Sequence, residues 1–330
     1  MICLEIWTDP EREALTSNGH RCKISVKING IGPDLNSVNL PYVENSRHKL
    51  MDEVKVLDNK VAVITGGGRG IGRAAALALS EAGADVVIVA RSRRAIEAVA
   101  KEVRARGGQA LAITADVSDP ASVDLMVLQT LRASGRIDIL INNAGVLAPI
   151  GMTWEVPPFI WQRNININLG GVFLCTHAAL PHMIHQEPVG DVRGKIINIS
   201  SGAASQIVTG WSAYCAAKAG VDQFTRVLAA EVEPYGITVN SVYPGIVDTQ
   251  MQSEIRHTSP ERFPDQGRFE RFYHMGQLRP PEEVARFLLW LASPFTDDMT
   301  GQTVRIDDEA IRRRMAGDLG EVSTPDGDVR

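Results

Sequence analysis

Tyr214 follows Ser201 by thirteen positions and Lys218 follows Tyr214 by four, in the run S-G-A-A-S-Q-I-V-T-G-W-S-A-Y-C-A-A-K. A tyrosine and a lysine four apart on a helix share one face, so an ammonium can be fixed beside the phenol. A serine at the end of a neighbouring strand can reach the same substrate oxygen. Together these are the parts of a proton-transfer site for a carbonyl/alcohol couple.

Such a site needs a partner for the hydride, and the chain offers one upstream. T-G-G-G-R-G-I-G spans Thr65 to Gly72, after the β-branched run Lys60–Thr65 and before the helical Arg73–Ser80. Strand, tight glycine turn and helix N-terminus make an anion site, with backbone N–H groups aimed at a pyrophosphate. The glycines Gly66, Gly70 and Gly72 read G-x-x-x-G-x-G rather than G-x-G-x-x-G.

These motifs, with Asn142-Asn-Ala-Gly145 and Tyr243-Pro-Gly-Ile-Val-Asp-Thr249, occur in order between about Asp58 and Asp307. The set resembles the single-domain branch of the short-chain dehydrogenase/reductase family, and 3-oxoacyl thioester reductases within it. The resemblance implies a catalytic set of Asn168, Ser201, Tyr214 and Lys218, with Asn168 picked out by the Leu-x-Gly-Val-Phe that follows it. Asn164 and Asn166 are expected to bond their own helix backbone. Implied cofactor contacts are Gly66, Arg69, Gly70, Ile71 and Gly72 at the glycine loop, Asp116 and Val117 beside the adenine, and Asn143 and Gly145 near the ribose. Val247 and Thr249 would hold the nicotinamide carboxamide, and Lys218 would also bond the ribose next to it.

Cofactor choice follows from charge. An acidic residue ending the second strand accepts from a ribose 2′-OH, whereas an arginine there accommodates a 2′-phosphate. The strand Asp85–Ala90 ends in Arg91-Ser-Arg-Arg94 with no carboxylate at that end, and Arg69 adds a guanidinium from the glycine loop. Two arginines can clamp a phosphate dianion. The expected cofactor is therefore NADP(H) in preference to NAD(H). A free phenol has a pKa of about 10, and lowering it by about 3 units takes roughly 4 kcal/mol. Lys218 and the positive ring of an oxidised nicotinamide are the expected source. The other reading is a cofactor-sensing module that keeps the fold without catalysis.

The positioning elements are legible as alternating patterns. Strands are expected at 60–65, 85–90, 110–115, 137–141, 195–200, 238–242 and 303–306. Helices are expected at about 93–106, 119–134, 155–185, 212–235 and 281–292. Seven strands with helical crossovers imply an α/β Rossmann-type fold, a doubly wound parallel sheet with helices on both faces. Members of the family often form tetramers on the two long helices, so a homotetramer or homodimer is expected by resemblance.

Hydrophobic residues are 44% and charged residues 22%, an ordinary globular balance. A net charge of −5 argues against nucleic acid or an anionic membrane as partner. The partner expected is a small carbonyl or alcohol. Cys3, Cys22, Cys175 and Cys215 show neither C-x-x-C nor ligand spacing, which fits reduced thiols in a cytoplasmic protein without a metal site. Residues 1–50 lack a signal pattern and read as an extension, with Met51 a candidate start; 51–310 read as one catalytic domain and 311–330 as a disordered polar tail. The segment Gln250–Gln277, mixed and aromatic, reads as a lid over the site.

Overall fold

The computed structural model describes residues 55–320, so the expectations for the first fifty residues and for 321–330 lie outside it. Seven strands form one parallel sheet: β1 (Val61–Thr65), β2 (Asp85–Ala90), β3 (Ala110–Thr114), β4 (Ile139–Asn142), β5 (Gly194–Ile199), β6 (Ile237–Tyr243) and β7 (Thr303–Arg305). Their spatial order is β3-β2-β1-β4-β5-β6-β7. The order reverses between β1 and β4, and there the strands' carboxyl ends open a crevice, the usual ligand position in such sheets.

Both faces of the sheet are covered. On β1, Ala62 and Ile64 join one core cluster while Val61 and Val63 join the other, as a period of two requires. The first cluster seats α1 (Gly70–Glu81), α2 (Arg93–Ala105) and α9 (Pro281–Ala292), whose Phe287, Leu288 and Trp290 are fully buried. On the other face lie α3 (Pro120–Ser134), α5 (Gly171–His185) and α6 (Ser212–Val232).

The expected helix at 155–185 begins later, because Pro157 and Pro158 oppose helix before them. It is also divided: α4 (Pro158–Ile165) passes through a π-helical turn, Asn166–Gly170, into α5. By length and composition Pro158–His185 could cross a membrane, alone among the described residues. Its apolar side chains instead serve the core, where Cys175, Ala179 and Met183 are buried against the sheet.

The segment Gln250–Gln277 folds as α7 (Gln250–Arg256) and α8 (Gln266–His274). Part of the expected polar tail is helix α10 (Glu309–Asp318). Asp308 caps it by accepting from the Ala310 and Ile311 amides, and Ile311, Met315 and Leu319 pack on the first core cluster. Trp290 Nε1 then donates to Asp318 at 2.8 Å. A local excess of charge had concealed three apolar residues at helical spacing.

Candidate active site

At the switch point, β1 and β4 are tied together by the Thr65 side chain. Its hydroxyl accepts from the Asn143 and Ala144 amides, each at 3.0 Å. The Asn143 side-chain Nδ2 donates to the carbonyls of Thr65 at 2.9 Å and Gly66 at 3.2 Å. So Asn143, expected near a ribose, holds the glycine turn as well as lining the cavity. Gly66 has φ +67°, a left-handed conformation open to glycine, and a Cβ on Gly72 would lie 2.4 Å from the Gly66 carbonyl oxygen. No side chain caps α1, so its first turn presents bare N–H groups.

One cavity of about 1090 Å³ runs from that turn to helix α6. It gathers all of the expected set but Gly72: Gly66, Arg69, Gly70, Ile71, Arg91, Asp116, Val117, Asn143, Gly145, Asn168, Ser201, Tyr214, Lys218, Val247 and Thr249 line it. Gly72 sits behind Gly66 and shapes the turn from within. Arg69 and Arg91 are exposed on the cavity rim, and their guanidinium groups make no hydrogen bond or ion pair among the described residues. Arg93 and Arg94 open α2 behind its Ser92 cap and do not line the cavity. Burial would raise the Asp116 carboxyl, but two hydrogen bonds from Ser118 and the charges of Arg91 and Arg163 hold it below its ordinary value.

On α6, Tyr214 and Lys218 are both buried. Lys218 Nζ donates to the Ile199 carbonyl at 2.7 Å, which fixes it under the end of β5, 5.6 Å from the centre of the Tyr214 ring. Burial pushes the Tyr214 phenol up to about 12, against a hydrogen bond with Ser201 that pulls the other way. Burial also pulls Lys218 down to about 8, opposed by the charge of Asp222. The expected lowering of the phenol is therefore not built into the protein alone, since desolvation of the phenolate outweighs the polar neighbours. As it stands the site holds a neutral phenol, suited to giving a proton.

Asn168 lies in the π-helical turn, a rare conformation often found at functional sites. Its Nδ2 donates to Val146 O at 2.8 Å and its Oδ1 accepts from Val146 N at 3.1 Å. A Cβ on Gly145 would lie 2.7 Å from that Oδ1 and 3.8 Å from Lys218 Nζ, so glycine here lets both groups approach the loop. Asn164 does not bond its own helix as expected. Its Nδ2 donates to Val146, Leu147 and Ala148 carbonyls, and its Oδ1 accepts from Asn168. Sequence reasoning missed this brace; the Asn-x-x-x-Asn spacing, one helical turn, was the available signal.

The far wall is aromatic. Trp211 stacks on Phe263 at 5.2 Å and contacts Phe269 and the Tyr214 ring at 5.3 and 5.7 Å. Leu147, Ile255 and Met251 complete that cluster. Arg268 of α8 lies over Phe272 and lines the cavity.

Comparisons with known proteins agree with this geometry. The family model described as short chain dehydrogenase matches residues 60–260. A hydroxy(phenyl)methylsuccinyl-CoA dehydrogenase subunit, BbsD of Thauera aromatica, is 40% identical over 254 residues, covering 76% of this chain and 96% of that protein. A 3-oxoacyl-acyl-carrier-protein reductase of Synechocystis sp. is 40% identical over 253 residues, again 76% and 96%. A solved short-chain type dehydrogenase/reductase from Mycobacterium marinum superposes with a TM-score of 0.69 at 35% identity, covering 77% of this chain and 96% of the other.

Proposed function

The chain belongs to the short-chain dehydrogenase family, oxidoreductases of carbonyl and alcohol substrates, and on that footing we propose an NADP(H)-dependent enzyme with Tyr214 as general acid/base. What carries the reading is the convergence of an uncapped glycine-turn helix and the Ser201/Tyr214/Lys218 group on one cavity.

The turn fits a dinucleotide: its glycines leave no room for a Cβ, and its helix offers unpartnered N–H groups to a pyrophosphate. Gly66, Arg69, Gly70, Ile71 and Gly72 would hold the phosphates, with Arg69 and Arg91 on a 2′-phosphate. Asp116 and Val117 would flank the adenine, Asn143, Gly145 and Lys218 the second ribose, and Val247 and Thr249 the carboxamide. When bound, the nicotinamide supplies or receives the hydride.

The residues of the chain do the rest. Ser201 orients the substrate oxygen toward Tyr214. Tyr214 gives its proton to that oxygen in reduction and takes it back in oxidation, where Lys218 as an ammonium favours the phenolate. Asn168 fixes the Val146 backbone beside Lys218 and would support a water path to it.

For substrate, an acyl thioester bearing an oxo or hydroxyl group is favoured, because the printed names of both relatives at 40% identity are of that kind. The apolar wall around Trp211 suits its acyl part. Exposed Phe173 and Val227 on α5 and α6 support a homodimer or homotetramer joined through those helices. Free Cys175 and Cys215 accord with a cytoplasmic location.

The test is a panel of 3-oxoacyl thioesters and simple ketones with NADPH, run on wild type and Tyr214→Phe. Turnover should fall about 100- to 10,000-fold in the variant with cofactor affinity nearly kept. A sensing module, the other reading, would show no turnover in either protein and equal cofactor binding.

A further inference from the structure

Tyr214 and Lys218 do not exhaust their face of α6. One further turn along it stands Asp222, so 214, 218 and 222 form a row at helical spacing. Asp222 is buried at 6% exposure. Its Oδ2 accepts a hydrogen bond from the Tyr243 hydroxyl at 2.5 Å, and its Oδ1 has no hydrogen-bond partner among the described residues. Tyr243 in turn ends β6 and lines the cavity just before Pro244-Gly245.

A buried carboxylate with one hydrogen bond is costly unless a cation faces it. Two cations are near. Arg305 of β7 lies 5.7 Å from the centre of the Tyr243 ring, but its guanidinium is ion-paired to Asp307. Lys218 is the other, itself buried, with a single hydrogen bond to the Ile199 carbonyl among the described residues. Each charge is otherwise short of a counter-charge, and they sit one turn apart on a buried face.

We propose that Asp222, anchored by Tyr243, is a positioning residue: its carboxylate is the counter-charge that keeps Lys218 an ammonium beneath the site. Its consequence for catalysis rests on the function proposed above, whereas the charge pairing itself does not. The direction of the shifts agrees with it. Burial lowers Lys218 to about 8 and Asp222 raises it again. Tyr243 is pushed up to about 12, first by burial and then by Asp222, so it stays a neutral donor to that carboxylate. The other groups facing this row are few. Tyr214 and Cys215 belong to the same helix and titrate higher, both raised by burial. Asn168 of the π-helical turn is not titratable, and the hydroxyls of Ser200, which donates to the Lys218 carbonyl, and of Ser205 beside Tyr243 are neutral.

The experiment follows the lysine directly. In cofactor-free protein labelled with 13C-lysine, the Lys218 side-chain resonance is assigned by its loss in Lys218→Arg and titrated with pH. Asp222→Asn should lower the Lys218 midpoint by about one unit, the lower end of the shift expected for losing a neighbouring opposite charge, and Asp222→Glu should restore it. Tyr243→Phe should lower it by less, and it carries the test should Asp222→Asn not fold. An unchanged or raised midpoint in the folded variants overturns the proposal. With an oxidisable alcohol in hand, the alkaline limb of the alcohol-oxidation profile should move toward lower pH in Asp222→Asn and return in Asp222→Glu. If no carbonyl or alcohol is turned over by the wild type, the functional reading fails while the resonance still decides the role of Asp222.

Discussion

Around Gly66 the cavity is shaped by directional hydrogen bonds, from Thr65 and Asn143 to the backbones of β1, β4 and the glycine turn. Around Trp211, on the opposite wall, it is shaped by stacked and tilted rings from α6, the 263 loop and α8. Hydrogen bonds fix atoms in place and tolerate little substitution, because each loss leaves a buried polar group unpaired. Ring packing is area-driven and accepts many sequences of similar volume. One wall therefore carries short motifs in the sequence and the other only a bias toward aromatics. One wall suits a fixed cofactor and the other a substrate that differs between related enzymes.

That contrast can be strained from both sides. Trp211→Ala should cost about 3–5 kcal/mol, the range for removing a buried tryptophan. Thermal unfolding would record the loss, while KM for substrate rises and NADPH affinity stays within a few fold. A loss of NADPH binding equal to that of substrate would mean the two walls are not independent. Gly72→Ala does the reverse. Its Cβ would meet the Gly66 carbonyl at 2.4 Å, so about 1–3 kcal/mol of strain is expected, with cofactor binding weakened first. Isothermal titration on folded variant would show it, and unchanged affinity would break the account of the turn.

Arg91→Asp sharpens the comparison within the cofactor wall. A lost charge-assisted contact is worth about 1.5–3 kcal/mol, so NADPH affinity should fall roughly 10- to 100-fold and NADH affinity little. Equal effects on both would remove Arg91 from the 2′-phosphate. The smallest effect lies outside both walls. Asp318→Ala deletes the acceptor of Trp290 Nε1 and should lower stability by about 1 kcal/mol, readable as a small drop in Tm with both ligand affinities unchanged.

Much of this molecule was legible before its structure. The seven strands are set by β-branched runs, and the parallel sheet follows from their alternation with helices, as Val61–Thr65 and Asp85–Ala90 illustrate. The residues that line the cavity were legible because each lies at a strand end or a helix face with a short spacing to its neighbour. Less legible were contacts made across the chain. Asn164 reaches back to the Val146–Ala148 backbone, and Tyr243 reaches Asp222, neither of which has a local pattern. The π-helical turn at Asn166–Gly170 has no propensity signal of its own. Helix α10 was hidden because its polar residues outnumber the three that pack. The state of Tyr214 in the chain alone was not legible, because burial, which raises the phenol, cannot be weighed against a nearby lysine from spacing alone.

The most direct test of the central claim is a fluorescence titration of the purified protein with NADPH and, separately, with NADH. Saturable binding of both, tighter for NADPH, is the predicted result, and it would place the dinucleotide on the glycine turn with Arg69 and Arg91 at its 2′-phosphate. Tighter binding of NADH would contradict the arginine assignment. Binding of neither by folded protein would contradict the oxidoreductase itself.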